Sequence, residues 1–340
     1  MGGAHTKAPG RQEAGSLGRR PTASVPSIGL AVPAENGSHT GTSPIDVSVI
    51  VIGHNVRDEV HTALKSIEEN RGELAVETIL VDNGSTDGTA ESVAEAFPRA
   101  QVIRLGSNEA GAGRNHGLRI ARGRYRMFLD SDAQLTSGTL DELVRFLDEH
   151  PEVGLVGPRV VYPDGSIQYT ARRHPPLLLP LLRRPPFSRF FEDGRRVRRY
   201  LMMDSDLDHA REVEYVISAC ALFSAEAQRA AGEIDPWILF PWEDADYCLQ
   251  IRAAGYKIAY NPTATAIHTY RRITAKKPLS AASLRHLVGF VRLRLKWRRE
   301  RRRLIEEGRL MDSREGRTTF PAGAAARAPA AAAAALAEQQ

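Results

Sequence analysis

Between Val47 and Leu129 the chain switches repeatedly between two hydrophobic periods. Val47 to Ile52 is an almost unbroken β-branched run, the signature of a strand buried on both faces. Glu59 to Asn70 places Val60, Ala63, Leu64 and Ile67 at helical spacing. Glu77 to Val81 predicts a second strand, closed by the turn Asp82-Asn83-Gly84-Ser85. A helix over Thr89 to Phe97, a strand over Ala100 to Leu105, a loop entering a helix over Gly111 to Arg122, and a strand over Tyr125 to Leu129 complete the series. Strand and helix in strict alternation predict an α/β fold with a Rossmann-like, mostly parallel central sheet and helices on both faces. Ligands of such sheets gather at the carboxyl ends of the strands. Asn55, Asp82 and Asp130 all fall at or just past those ends.

The second half is less regular. A helix is expected from Thr139 to about His150, and strands over Gly154 to Tyr162 and Glu214 to Phe223. Between the two strands, Asp164 to Ala210 is proline-rich and basic. It holds an apolar island, Leu177 to Leu182, between Arg172-Arg173 and Arg183-Arg184. Ala245 to Ala254 reads as a helix stopped by Gly255, followed by strands over Lys257 to Tyr260 and Thr265 to Tyr270. Residues 1–44, rich in Gly, Pro, Ser, Ala and Thr, carry no period and are expected to be disordered, as is the Ala-rich stretch 311–340. The expected division is a folded domain over 45–277 and a basic amphipathic helix over 278–310.

Charge and cysteine content add constraints. The net charge of +5 is concentrated between Arg172 and Arg199 and after Arg271, which suits an anionic partner. Two distant cysteines, Cys220 and Cys248, have no metal-ligand spacing and read as reduced core thiols. The N-terminus has no apolar stretch of signal-peptide type, and no run approaches the roughly 18 apolar residues of a spanning helix. A cytoplasmic protein is expected, peripheral on the inner face of a bacterial plasma membrane if the basic helix lies on lipid.

Two acidic clusters carry the chemistry. Asp130 and Asp132 follow an apolar strand, and Glu243, Asp244 and Asp246 fall within four residues. Carboxylates packed so closely repel one another unless a metal ion, a moving proton or a basic partner requires them. Together they point to a site that handles a metal-bound phosphate and deprotonates a hydroxyl.

Val47 to Asn55, Val81 to Thr89, Gly113-Arg114-Asn115-His116-Gly117, Phe128 to Asp132, Trp242 to Asp246 and His268 occur in an order that resembles the inverting family 2 glycosyltransferases of the GT-A fold. The resemblance covers about Val47 to Tyr270, and Trp242 to Tyr247 is most similar to the bacterial rhamnosyl- and galactofuranosyltransferase branch. It implies a nucleotide-sugar donor, Mg²⁺ or Mn²⁺, and a lipid-linked or growing glycan acceptor. Asn55, Asp82, Arg114 and Asp130 are expected to bind the nucleotide-sugar, Asp82 facing a uracil or thymine base. Asp130, Asp132 and His268 are expected to hold the metal, since hard oxygen ligands suit these cations. Asp244 would be the general base and Glu243 would bind acceptor hydroxyls. Asp246 either caps the following helix or shares in the chemistry. Trp242 and Trp237 either stack on sugar faces or belong to the core.

Ser283 to Arg303 carries two apolar stripes, Leu284, Leu287, Val288, Val291 and Leu295 on one side and Phe290, Leu293 and Trp297 on another, with eight Lys/Arg after Val291. It is either a helix packed on the body or one lying on an anionic membrane. Nucleic acid is not expected as a partner, because no aromatic-rich binding face or known nucleic-acid module is present. A sugar-phosphate nucleotidyltransferase would need a glycine-rich basic loop after the first strand, where this chain has Gly53-His54-Asn55-Val56-Arg57. A non-catalytic glycan- or lipid-binding scaffold of the same fold would not need every acidic position filled.

Overall fold

The computed structural model describes residues 44–177, 179, 194–269, 281–308 and 319–320. The expected disorder of 1–44 falls almost wholly outside the described residues, as do the 277/278 boundary, most of the apolar island and nearly all of 311–340.

The strands are β1 (Val47–Gly53), β2 (Val76–Asp82), β3 (Gln101–Arg104), β4 (Tyr125–Asp130), β5 (Ala133–Leu135), β6 (Val153–Val161), β7 (Ile167–Gln168), β8 (Ala171–Arg172), β9 (Arg211–Glu212), β10 (Tyr215–Val216), β11 (Cys220–Ser224) and β12 (Lys257–His268). The helices are α1 (Arg57–Asn70), α2 (Thr89–Ala96), α3 (Arg114–Ile120), α4 (Thr139–Glu149), α5 (Arg195–Tyr200), α6 (Ala225–Ala231), α7 (Glu243–Ala253) and α8 (Ala281–Glu306). The main sheet runs β3-β2-β1-β4-β11-β6-β12-β5, with β7 added on β6 and β9 on β12. Its first four strands are parallel, as the alternating pattern requires, while β11 enters antiparallel between β4 and β6. The fold is therefore α/β with a mixed sheet, parallel in the half that the first motifs build.

Both faces are covered. Val47, Val49 and Val51 of β1 pack into one cluster with Val60, Ala63, Leu64 and Ile67 of α1, whereas Ile50 belongs to the opposite cluster with Leu118 of α3. This two-sided burial is why β1 reads as a continuous apolar run rather than an alternating one. A Cβ on Gly117 would lie 2.6 Å from Ile50 Cγ2, so a glycine is needed for α3 to approach the sheet.

Several expected elements differ. Glu214 to Phe223 is two short strands, β10 and β11, separated by a turn at Ile217 to Ala219 rather than one strand. The two strands expected after Lys257 are one, β12, with a register irregularity between Asn261 and Thr265. Helix α7 starts at Glu243, two residues earlier than its apolar pattern indicates, and this places Glu243 and Asp244 in its first turn. Carboxylates are favoured there by the helix dipole.

Helix α8 resolves the choice between its two stripes. Phe290, Leu293, Trp297 and Leu304 are buried against the body, and Leu284, Leu287, Val291 and Leu295 face outward. Farther on, Thr319 pairs with Arg211, and Phe320 packs edge-on against Phe146 beside His150. At this point the C-terminal stretch does bury a side chain, contrary to the expectation of a featureless tail.

Candidate active site

Strand pairing brings the acidic clusters together. Asp130 ends β4, and its backbone N–H donates to Ala219 O at 2.9 Å. The neighbouring Ser218 hydroxyl donates to Asp244 Oδ1. Arg114, at the start of α3, pairs with Asp130 and is buried over the Phe128 ring, 5.2 Å from its centroid. The charges of Asp244 and Glu243 also act on Arg114. One buried guanidinium thus pairs with Asp130 of β4 and lies within electrostatic reach of two carboxyl groups of α7. Arg114 and Asp130, both expected from the sequence to bind the nucleotide-sugar, lie paired with each other here.

The second arm is formed by the pairing of β12 with β5, which sets His268 opposite Ala133. His268 Nε2 lies 3.1 Å from Asp132 Oδ1. Asp130, Asp132 and His268 each offer a ligand atom within 4.8 Å of the others. Gln168 of β7 closes the far side: its Oε1 lies 3.0 Å from His268 Nδ1, and its amide donates to the His268 carbonyl. A partner on Nδ1 fixes the ring and leaves Nε2 directed at the acids, as a metal-ligating histidine requires. Burial disfavours charge on the ring, but the Asp132 hydrogen bond and the nearby Asp130 and Asp132 charges raise its pKa overall. Two carboxylates and an oriented imidazole fit a divalent cation of the Mg²⁺ or Mn²⁺ type.

On the other side, Asp82 ends β2. Register Gly53↔Asp82 and Ile52↔Asp130 places these two acids two strands apart, roughly 10 Å. Asp82 is buried, and its Oδ1 accepts from Ser85 N at 3.1 Å. Asn55, at φ +55°, clasps the same loop: its Oδ1 accepts from Thr86 N at 2.8 Å and its N–H donates to Ser85 Oγ at 3.0 Å. Asn83 ties in a third loop by accepting from Glu109 N at 2.8 Å and donating to Ala110 O at 3.1 Å. These bonds make a rigid floor leading from Asp82 to the acidic cluster.

The model of Glycosyl transferase family 2 matches residues 48–223, just over half of the chain. The chain belongs to glycosyl transferase family 2. The match ends before Glu243, Asp244 and His268, so the place of these residues in the site rests on the structure. A curated relative, N-acetylglucosaminyl-diphospho-decaprenol L-rhamnosyltransferase of Mycobacterium tuberculosis, is 25% identical over 240 residues, covering 64% of this chain and 75% of that protein. Among solved structures, the mannosyltransferase PcManGT from Pyrobaculum calidifontis in complex with GDP-Man and Mn²⁺ aligns with a TM-score of 0.53 at 22% identity. GalNAc-T7 with UDP, GalNAc and Mn²⁺ aligns with a TM-score of 0.56 at 17% identity. Each covers 76% of this chain, which spans 65% and 50% of those two chains, and the likeness is one of fold.

In this family 2 glycosyltransferase the two α7 carboxyl groups differ. Asp244 is partly exposed; burial raises its pKa, while Arg114 and the Ser218 hydroxyl hold it down. Glu243 is buried, with Oε2 lacking a hydrogen-bond partner among the described residues. A Cβ on Gly111 would lie 2.6 Å from Glu243 Oε1, so glycine lets the Ala110–Gly113 turn close over this carboxyl. Burial, then repulsion from Asp244, pushes the Glu243 pKa up to about 8. Glu243 is thus neutral near pH 7 and able to donate a hydrogen bond.

Between its unfolded pKa near 4.3 and its raised folded value, Glu243 carries a proton in the folded state and loses it on unfolding. Its contribution to stability is full below the lower value and declines as pH rises through the upper one. Glu243→Gln removes this titration. Its stability relative to wild type should therefore climb from pH 5 to pH 8, by an amount on the order of a few kcal/mol at the upper end, and the Tm difference should climb with it. A difference that stays flat with pH in thermal melts would contradict a buried neutral Glu243.

The other candidates separate. Trp242 is buried, its ring against Phe290 and its Nε1 donating to His286 O at 2.8 Å; it is core, with no face for a sugar. Trp237 is exposed beneath Arg292, which donates to the Trp237 carbonyl at 3.0 Å. Asp246 is not a cap: it is fully buried inside the first turn of α7 and accepts from Trp297 Nε1 and from Lys296 Nζ at 2.9 Å. It ties α8 to the helix that carries Glu243 and Asp244. Ser218 and Gln168 escaped sequence reading, because a lone serine and a lone glutamine in loop-rich segments give no pattern.

Proposed function

We propose that this protein is an inverting glycosyltransferase that moves a sugar from a dTDP- or UDP-linked donor to a hydroxyl of a lipid-linked or glycan acceptor. The observation that carries the reading is that Asp130 belongs to both groups: it pairs with Arg114, on which Asp244 also acts, and it lies with Asp132 and His268 in the trio. Asp244 takes the proton of the acceptor hydroxyl as that oxygen attacks the anomeric carbon. Glu243, neutral and buried, donates to an acceptor oxygen and orients it. Arg114 and the Asn55-stiffened loop around Asp82 position the nucleoside diphosphate. Asp130, Asp132 and His268 would hold Mg²⁺ or Mn²⁺, which when bound offsets charge on the departing diphosphate. Mn²⁺ in both aligned structures supports a divalent cation here.

A rhamnosyl donor and a polyprenyl-diphosphate-linked acceptor in bacterial cell-wall or polysaccharide assembly are the specific form of this reading, supported by the mycobacterial relative. No helix among the described residues is long and apolar enough to cross a membrane. Access to such an acceptor is by peripheral contact with an anionic bilayer, on the inner face of the plasma membrane.

A thermal-shift panel of nucleotide-sugars with and without Mn²⁺ tests the reading. A dTDP- or UDP-sugar at about a hundred times its Kd should stabilise the protein by about 2.7 kcal/mol, and only with the metal. Stabilisation confined to other nucleotides, or indifferent to metal, would count against it.

A further inference from the structure

Among the described residues, eight large apolar side chains are exposed, and seven of them belong to α8 or to segments that α8 contacts. Four form a line on α8: Leu284 (63% exposed), Leu287 (42%), Val291 (48%) and Leu295 (62%). At 100° per residue they share one side, opposite buried Phe290, Leu293, Trp297 and Leu304. Trp237 and Phe240 sit on the loop that α8 grips through Arg292 and through Gly289, where a Cβ would lie 2.7 Å from Leu239 O. Leu177 lies two residues beyond Pro175, whose carbonyl meets Arg294 Nη1 at 3.5 Å. The three segments are far apart in sequence, and these contacts hold two of them against α8.

Alongside the stripe itself, from Leu284 to Leu295, the charged residues of α8 are all arginines, and Glu306 joins the same side only at the far end. By the same projection Arg285, Arg292 and Arg299 flank the stripe on one side and Arg298 on the other, where Arg294 instead turns inward to His174 and the Pro175 carbonyl. A plainly solvated helix would not line up four aliphatic residues on its outer side. A second copy seated on the stripe would set arginine flanks against arginine flanks. An apolar stripe between two cationic edges is complementary to an anionic bilayer, with side chains entering the acyl boundary and guanidinium groups meeting phosphates.

We propose that the outer face of α8, with Trp237, Phe240 and Leu177, is a docking surface for an anionic lipid bilayer. The proposal deepens the peripheral-membrane reading above and rests on it. The Trp237 and Phe240 loop runs directly into the Glu243 and Asp244 turn, and Asp246 fixes α7 to α8 through Trp297 and Lys296. Docking therefore sets the catalytic turn next to the headgroup layer, where the reactive end of a lipid-linked acceptor lies.

The test uses the full chain in flotation with phosphatidylglycerol-containing vesicles and with neutral phosphatidylcholine vesicles. Wild type should float with the anionic vesicles, and the exposed-stripe variant L287E/V291E/L295E should lose roughly a hundredfold in affinity. That variant should keep the wild-type Tm and donor hydrolysis in free solution, because the three side chains touch neither the core nor the site. Trp242 and Trp297 are buried, so quenching of tryptophan fluorescence by brominated acyl chains should report Trp237 and vanish in Trp237→Phe. Wild type that fails to float, a triple variant that floats equally well, or a wild-type dimer that the triple variant splits would each overturn the proposal. Flotation by a protein that hydrolyses no donor would uphold the surface and count against the transferase reading alone.

Discussion

Asp244→Asn should abolish sugar transfer while the donor Kd stays within a few-fold of wild type. The substitution keeps shape and volume but removes the proton acceptor. Losing a general base costs on the order of 10²–10⁴ in rate. The loss falls on kcat because the base acts in the transition state and touches the bound donor little. The environment of Asp244 is consistent with this role: burial lifts its pKa, as a proton acceptor requires, while Arg114 and the Ser218 hydroxyl oppose the rise. Turnover by mass spectrometry and donor binding by calorimetry would check it. A variant that keeps a tenth of the wild-type rate would rule out Asp244 as the base.

The second large effect is expected at Asp132. Asp132→Ala removes one of two carboxylates from the Asp130, Asp132 and His268 trio, leaving a site too weak for a hard divalent cation. Metal stabilisation of developing charge is worth several kcal/mol, so turnover should fall by about 10³ or more. The readout independent of activity is the Mn²⁺-dependent rise in Tm, which should vanish. Gln168→Leu supplies the graded case. It spares every ligand but releases His268 Nδ1, and losses of this kind weaken metal affinity by about 10–100-fold. An Asp132→Ala protein still stabilised by Mn²⁺ would place the metal elsewhere.

Legibility in the sequence was uneven for physical reasons. The parallel half could be read because strands buried on both faces must be continuously apolar and their helices amphipathic, as β1 with α1 illustrates. The antiparallel entry of β11 and the single long β12 were not legible, because strand direction and bulges leave little trace in composition. Asp130 and Asp132 stood out as acids after an apolar run, but the nearness of His268 to Asp132 depends on the β12/β5 register. Arg114 was recognised without its partner, since its pairing with Asp130 crosses from α3 to β4. Trp242 was ambiguous because a core aromatic and a sugar platform are spelled alike. Phe290 of α8, which covers its ring, decides it. The division of α8 into an inner and an outer stripe was visible as two periodicities, and only packing tells which one the body takes.

The central claim is that a base at Asp244 and a cation site at Asp132 flank one anomeric carbon, so that a single displacement occurs between them. The most direct test is NMR of the sugar first released or transferred from the donor the panel selects, recorded before mutarotation. The account expects the anomeric configuration to be inverted relative to the donor. A retained configuration would mean that Asp244 and the acidic trio do not act on opposite sides of the same carbon.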